Sequence, residues 1–197
     1  MIYTKQQLCE MSISLINDFC DLNNIPKPEF NIDWGTGTTQ SKGTVCGHFT
    51  FGTNVLHLQP NKCANPNPNG DWPGFFYDRT CYGVMCHEFA HYVDNLSPSL
   101  FNIKLISAEL RQIANEPSFN KDPKDDYEYF ADVFKLFISN PDLLKLVRPN
   151  TFKLLTEKYK LLPIISDDYI MVLNKFSAHD RIFERIKLEI KNVESND

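Results

Sequence analysis

No stretch of this 197-residue chain approaches the roughly 20 consecutive apolar residues that a membrane-crossing helix requires, so no membrane partner is expected. Positive charge is not in excess either. There are 20 Lys and Arg against 25 Asp and Glu, a formal net charge of -5, which argues against nucleic-acid binding, since that wants a basic face. The N-terminal stretch MIYTKQQLCEMSISLINDFCDLNN has no apolar signal core, so the expectation is a chain that is cytoplasmic at synthesis; later export or delivery by an unmarked route stays open. The glycine-rich GTGTTQSKG lacks the spacing and lysine placement of a phosphate-binding loop and reads as a connector. No two of the six cysteines form a CxxC pair, which argues against a four-cysteine zinc knuckle. Internal repeats and low-complexity tracts are absent.

What is there suits one globular domain. Hydrophobic residues make up 42% and charged residues 23%, close to the average for folded chains, and the length suffices for a single core. Apolar spacing at Leu8, Met11, Leu15 and Phe19, with Thr4 as N-cap, predicts a helix over 4–22. Cys9 and Cys20, eleven apart, fall on one face of it and read as core residues. EFNIDW alternates as a strand. TVCGHFTF and NVLHLQP read as two further strands joined by a short GT turn. NKCANPNPNGDWPG, dense in Asn, Pro and Gly, reads as a surface loop. Cys46, Cys63 and Cys81 sit in this turn-rich region and could form one disulfide, against the reducing expectation for a cytoplasmic chain. Helices are then expected near 79–95, 99–115, 125–139, 149–161 and 167–192. The fold class is therefore α+β. Residues 1–78 form an N-terminal helix-and-sheet part and 79–197 a helical part of one domain.

The helix near 79–95 contains MCHEFAHYVD. His87 and His91 are four apart, so both imidazoles project from one helical face and can reach one metal ion. Zinc accepts imidazole nitrogen and prefers four ligands. Glu88 lies about 100° round the helix, where it can reach a water on such a metal as general base. Val84, Phe89, Ala90 and Val93 supply an apolar back for burial. Asp94 follows His91 by three residues, on the side of the histidines. With 5 histidines in the whole chain, a chance HExxH is an uncommon event.

A hydrolytic zinc site also needs a third protein ligand and one open position. DDYEYFADVFKLF offers Glu128 and Asp132, four apart and so on one face, among Phe130, Val133, Phe134 and Phe137. Two carboxylates on an otherwise apolar helix are costly to bury without a cation or donor. A metal and a liganding histidine would supply both, with Glu128 as ligand and Asp132 accepting the outer N–H of an imidazole.

HEFAH followed by EYFAD resembles the gluzincin metallopeptidases, whose pattern is HExxH and then ExxxD or ExxxE. The likeness is nearest to the catalytic domain of anthrax lethal factor and its relatives, and covers roughly residues 75 to 160. That resemblance implies a zincin-like fold and a Zn2+ cofactor held by His87, His91 and Glu128. It makes Glu88 the catalytic base and places Asp132 behind a liganding histidine, His87 by preference. Asp94 matches the aspartate that follows the family's HExxH motif. The family carries an oxyanion-stabilising tyrosine seven residues before the third ligand, and here that position is Lys121. Tyr127 is the candidate in its place, although it points about 100° away from Glu128 on the helix. Tyr77, Tyr82, Tyr92 and His48 stay open.

The expected function is zinc-dependent endopeptidase activity on a peptide or protein substrate by a monomer, with either sheet strand free to bind an extended peptide. The alternative is a zincin-fold protein that keeps its metal for binding or regulation and cleaves little or nothing.

Overall fold

In the computed structural model the described residues are 3–35, 46–67, 71–119, 125–164, 186–188 and 191. The chain is α+β, with a small sheet followed by helices. Helix α1 (Lys5–Asn23) starts in a capping box, in which Thr4 Oγ1 accepts from Gln7 N–H and the Gln7 side chain accepts from Thr4 N–H. It ends at Asn24 in the left-handed conformation. Its buried stripe is Leu8, Cys9, Ser12, Ile16, Phe19 and Cys20. The expected markers Met11 and Leu15 flank that stripe and are only partly covered.

Strands β1 (Glu29–Ile32), β2 (Gly47–Phe49) and β3 (Val55–Leu58) pair in the order β1-β3-β2. β1 runs parallel to β3 and β2 antiparallel to it, with His48 opposite His57. The turn between β2 and β3 takes residues 50–54, longer than the expected GT pair.

The loop after β3 departs from the expected surface loop. Trp72, Phe75 and Phe76 are buried in the core, which requires partners for their backbone. Side chains supply them: Asp78 accepts from Gly74 N–H, and Asn140 and Lys135 donate to the carbonyls of Gly74 and Phe76.

Helix α2 (Cys81–Asn95) is buried on almost every side, lying between the sheet, α1 and helix α5 (Asp126–Ser139). Rings from three helices close that core, with Phe19 edge-on to Phe89, Phe134 and Phe137. At Gly83 a Cβ would fall 2.3 Å from the Asp78 carbonyl oxygen, so α2 can seat against this loop only with glycine there.

The single helix expected over 99–115 is instead α3 (Ser97–Leu100) and α4 (Ile106–Ala114). The break follows from capping at a distance. Asp94 accepts from both Ser107 N–H and Ser107 Oγ, and Ser97 Oγ accepts from Ile106 N–H, so α4 starts against the end of α2. Helix α5 begins at Asp125, whose carboxylate accepts from Tyr127 and Glu128 N–H.

The helix expected over 149–161 is shorter, and a helix before it was not anticipated. α6 (Pro141–Val147) is capped by the Asn140 side chain, and α7 (Pro149–Lys153) passes into a wider π turn over Leu154–Lys158. Of the helix expected over 167–192, only residues 186–188 and 191 are described, and these are helical. All six cysteines are free thiols, so the disulfide allowed by the sequence is not formed. No helix among the described residues is long and apolar enough to cross a membrane.

Candidate metal centre

His87 and His91 lie one turn apart on α2, with ring centroids 5.0 Å apart and planes nearly perpendicular. The first turn of α5 crosses this face and presents Glu128. Its Oε2 lies 3.2 Å from His87 Nε2 and its Oε1 lies 3.4 Å from His91 Nε2. The three ligand-type atoms fall within 4.8 Å of one another, a group that can hold a metal ion. Glu128 is the open member, with its side chain 58% exposed, while the two imidazoles are largely covered.

Behind His87 stands Asp132, one turn further along α5, with Oδ1 3.4 Å from His87 Nδ1. Lys135 lies 3.6 Å from the same carboxylate and donates to the Phe76 carbonyl. Lys135 is buried and was not singled out in the sequence. A lysine three residues after Asp132 inside an apolar run was the available signal. His91 has no such partner, and its buried Nδ1 makes no hydrogen bond.

The electrostatics draw positive charge to this point. Burial lowers the pKa of His87, but Asp132 and Glu128 outweigh it and hold the imidazole at about 9. Contacts from His87 and then His91 hold the Glu128 carboxyl well below its usual range. Two imidazoles thus converge on one ionised carboxylate, an arrangement that a proton or a metal cation can occupy.

The other residues singled out in the sequence fall in varied places. Glu88 is buried beneath the edge strand: a Cβ on Gly47 would lie 3.2 Å from Glu88 Cγ and 2.7 Å from Val84 Cγ1. Gly47 was not picked out in the sequence either, and it brings β2 directly over α2. Asp94 accepts hydrogen bonds from Ser97 Oγ and from Ser107 N–H and Oγ. Burial raises its carboxyl pKa, and the hydrogen bonds from Ser107 oppose that rise. Tyr127 is partly buried, with the exposed Phe51 ring edge-on at 6.0 Å. The Tyr77 and Tyr92 hydroxyls donate to the carbonyls of Phe119 and Pro26. Tyr82 is buried on α2. His48 stacks on His57 across the sheet, with centroids 4.4 Å apart. Lys121 lies outside the described residues.

Comparison with family models, with curated proteins and with solved structures found no match to the chain. The site therefore stands on its own geometry: an α+β protein with a His–His–Glu cluster able to bind a metal ion.

Proposed function

We propose that the chain is a zinc-dependent endopeptidase of zincin-like fold, in which His87, His91 and Glu128 hold the metal and Glu88 is the general base. The observation that carries this reading is the meeting of two imidazole nitrogens and one carboxylate oxygen within 4.8 Å. Two histidines and a glutamate are a donor set that hydrolytic zinc uses, with a further position left open. Two features of the structure suit that set. His87 Nδ1 faces Asp132, which leaves Nε2 as the ligand atom and raises its basicity. Glu128 keeps one side open to solvent. When bound, zinc would acidify water and polarise a carbonyl.

The rest falls to the chain's own residues. Glu88 takes the proton of the attacking water and delivers it to the departing amine. The edge strand β2, lying over Glu88, offers backbone groups to an extended peptide. Tyr127 is the candidate to stabilise the oxyanion. A second reading, a protein that binds metal without cleaving, draws on one observation: the Tyr77 and Tyr92 hydroxyls already donate to backbone carbonyls.

Metal analysis of purified, dialysed protein tests the first part. One zinc per chain is expected, with most of it lost in His87→Ala and Glu128→Ala; a content near zero would end the proposal. Incubation with a peptide library tests the second part. Zinc retained without any cleavage would favour the binding reading.

A further inference from the structure

Four of the six cysteines, far apart in sequence, meet at the other end of α2. Cys9 comes from α1, Cys46 immediately precedes β2, Cys63 follows the short turn after β3, and Cys81 opens α2. Their thiols lie in series, Cys46 beside Cys63, Cys63 beside Cys81 and Cys81 beside Cys9. The turn over Gln59–Lys62 gathers three of them. Cys46 Sγ donates to the Lys62 carbonyl at 3.1 Å, Cys63 Sγ lies 3.6 Å from that of Gln59, and Cys81 Sγ lies 3.8 Å from that of Pro60. Cys9, Cys63 and Cys81 are buried, whereas Cys46 is partly exposed.

We propose that Cys46 and Cys63 form a thiol–disulfide exchange site for small disulfides of the glutathione type, in which Cys46 attacks and Cys63 resolves. Access assigns the order, because a dissolved disulfide can meet Cys46 and not the three thiols behind it. Charge favours the same order. The neighbouring Cys63 thiol lowers the Cys46 thiol to about 7, with smaller help from Lys5 and Arg79. Lys5 is fixed there by bonds from Nζ to the carbonyls of Asn61 and Cys63. An attacking thiol works best with a pKa near ambient pH. Contacts from Cys63 and Cys9 bring Cys81 lower still, to about 4, but it is fully buried. Cys63, buried between Cys46 and Cys81, is held above the usual thiol range and keeps its proton.

In the first step the Cys46 thiolate attacks one sulfur of glutathione disulfide. A Cys46–glutathione bond forms and one glutathione thiolate leaves. In the second step Cys63 sulfur attacks Cys46 sulfur, the Cys46–glutathione bond breaks, and the second glutathione leaves with the Cys63 proton. Two protein thiols are oxidised and one disulfide is reduced to two thiols. The residue after Cys46 is Gly47, whose backbone bears on Glu88. The exchange can therefore reach the candidate site, a consequence that rests on the peptidase reading while the exchange itself does not.

The test is a cysteine map of the reduced full-length chain after exposure to glutathione disulfide at neutral pH, acid quenching, alkylation and peptide mass spectrometry. A Cys46–Cys63 link is expected in the parent. Cys63→Ser should accumulate glutathione on Cys46, and Cys46→Ser should lose thiols about tenfold more slowly. Circular dichroism checks that both variants fold. If either does not, timed alkylation of the parent decides, with Cys46 expected to be labelled before the buried Cys20 and Cys86. A link between other cysteines, Cys46 labelled no faster than Cys20, or thiols masked by a second zinc per chain would each overturn the proposal.

Discussion

The start and the middle of α2 carry two side-chain clusters, and they are built on opposite terms. Along its middle, His87 and His91 meet carboxylates from α5, and the group is held by opposite charge with Glu128 open to solvent. At its start, Cys81 meets other thiols and backbone carbonyls in a largely covered setting. Imidazoles and carboxylates at this separation need a shared cation or proton to sit together, because buried charge is costly alone. Thiols tolerate burial with weak partners. One helix therefore carries an imidazole–carboxylate group along its middle and a thiol group at its start.

The contrast can be broken from either end. The largest effect is expected for Glu88→Gln, which should keep zinc and fold but lower peptide hydrolysis by about 10²–10⁴-fold. Equal turnover in parent and variant would remove Glu88 as base. Asp132→Asn comes next, because it weakens the partner behind His87 while leaving His87, His91 and Glu128 in place. Zinc affinity should fall by about 10–100-fold in a chelator competition. If this variant lost zinc more completely than Glu128→Ala, the two carboxylates would have exchanged roles.

At the other end of the helix the effects are on stability. Gly83→Ala forces a methyl against the Asp78 backbone and should cost about 1–3 kcal/mol in urea unfolding. An unchanged midpoint would mean that the loop yields freely. The smallest effect concerns Asp78 itself. Burial raises its carboxyl to about 6, against the lowering effect of its hydrogen bonds from Thr80 and Gly74. A folded-state pKa above the unfolded one favours the folded protein at low pH, and that advantage is lost as pH rises through about 6. Lowering the pH from 7 to about 4.5 should therefore stabilise the parent relative to Asp78→Asn by about 1–2 kcal/mol. A difference that stays flat with pH would return Asp78 to ordinary carboxylate behaviour.

The parts legible in the sequence are those whose causes are local. Thr4 caps α1 from the adjacent position, and the His87–His91 pair needs only helical spacing. Glu128 and Asp132 stood out as carboxylates in an apolar helix. What escaped depends on residues far apart in the chain. The start of α4 at Ile106 is set by Asp94 and Ser97, which no window on 99–115 contains. The loop around Trp72 is buried because Lys135 and Asn140 satisfy its backbone, though its Asn, Pro and Gly content marks a surface turn. The parallel pairing of β1 with β3 leaves no trace in either strand's alternation. The gathering of Cys9, Cys46, Cys63 and Cys81 likewise follows from tertiary packing alone.

The placement of β2 has a consequence for how the molecule breathes. This strand is three residues long and, among the described residues, lies at the edge of the sheet and is hydrogen-bonded to β3 alone. The histidines instead ride on a helix enclosed by α1, α5 and the sheet. Local opening draws first on the least-held segments, so the strand can part from β3 while His87 and His91 keep their places. In deuterated solvent, backbone amides of β2 would exchange well before those in the middle of α2. The edge strand and the histidine-bearing helix thus belong to different cooperative units, and one can open without loosening the other.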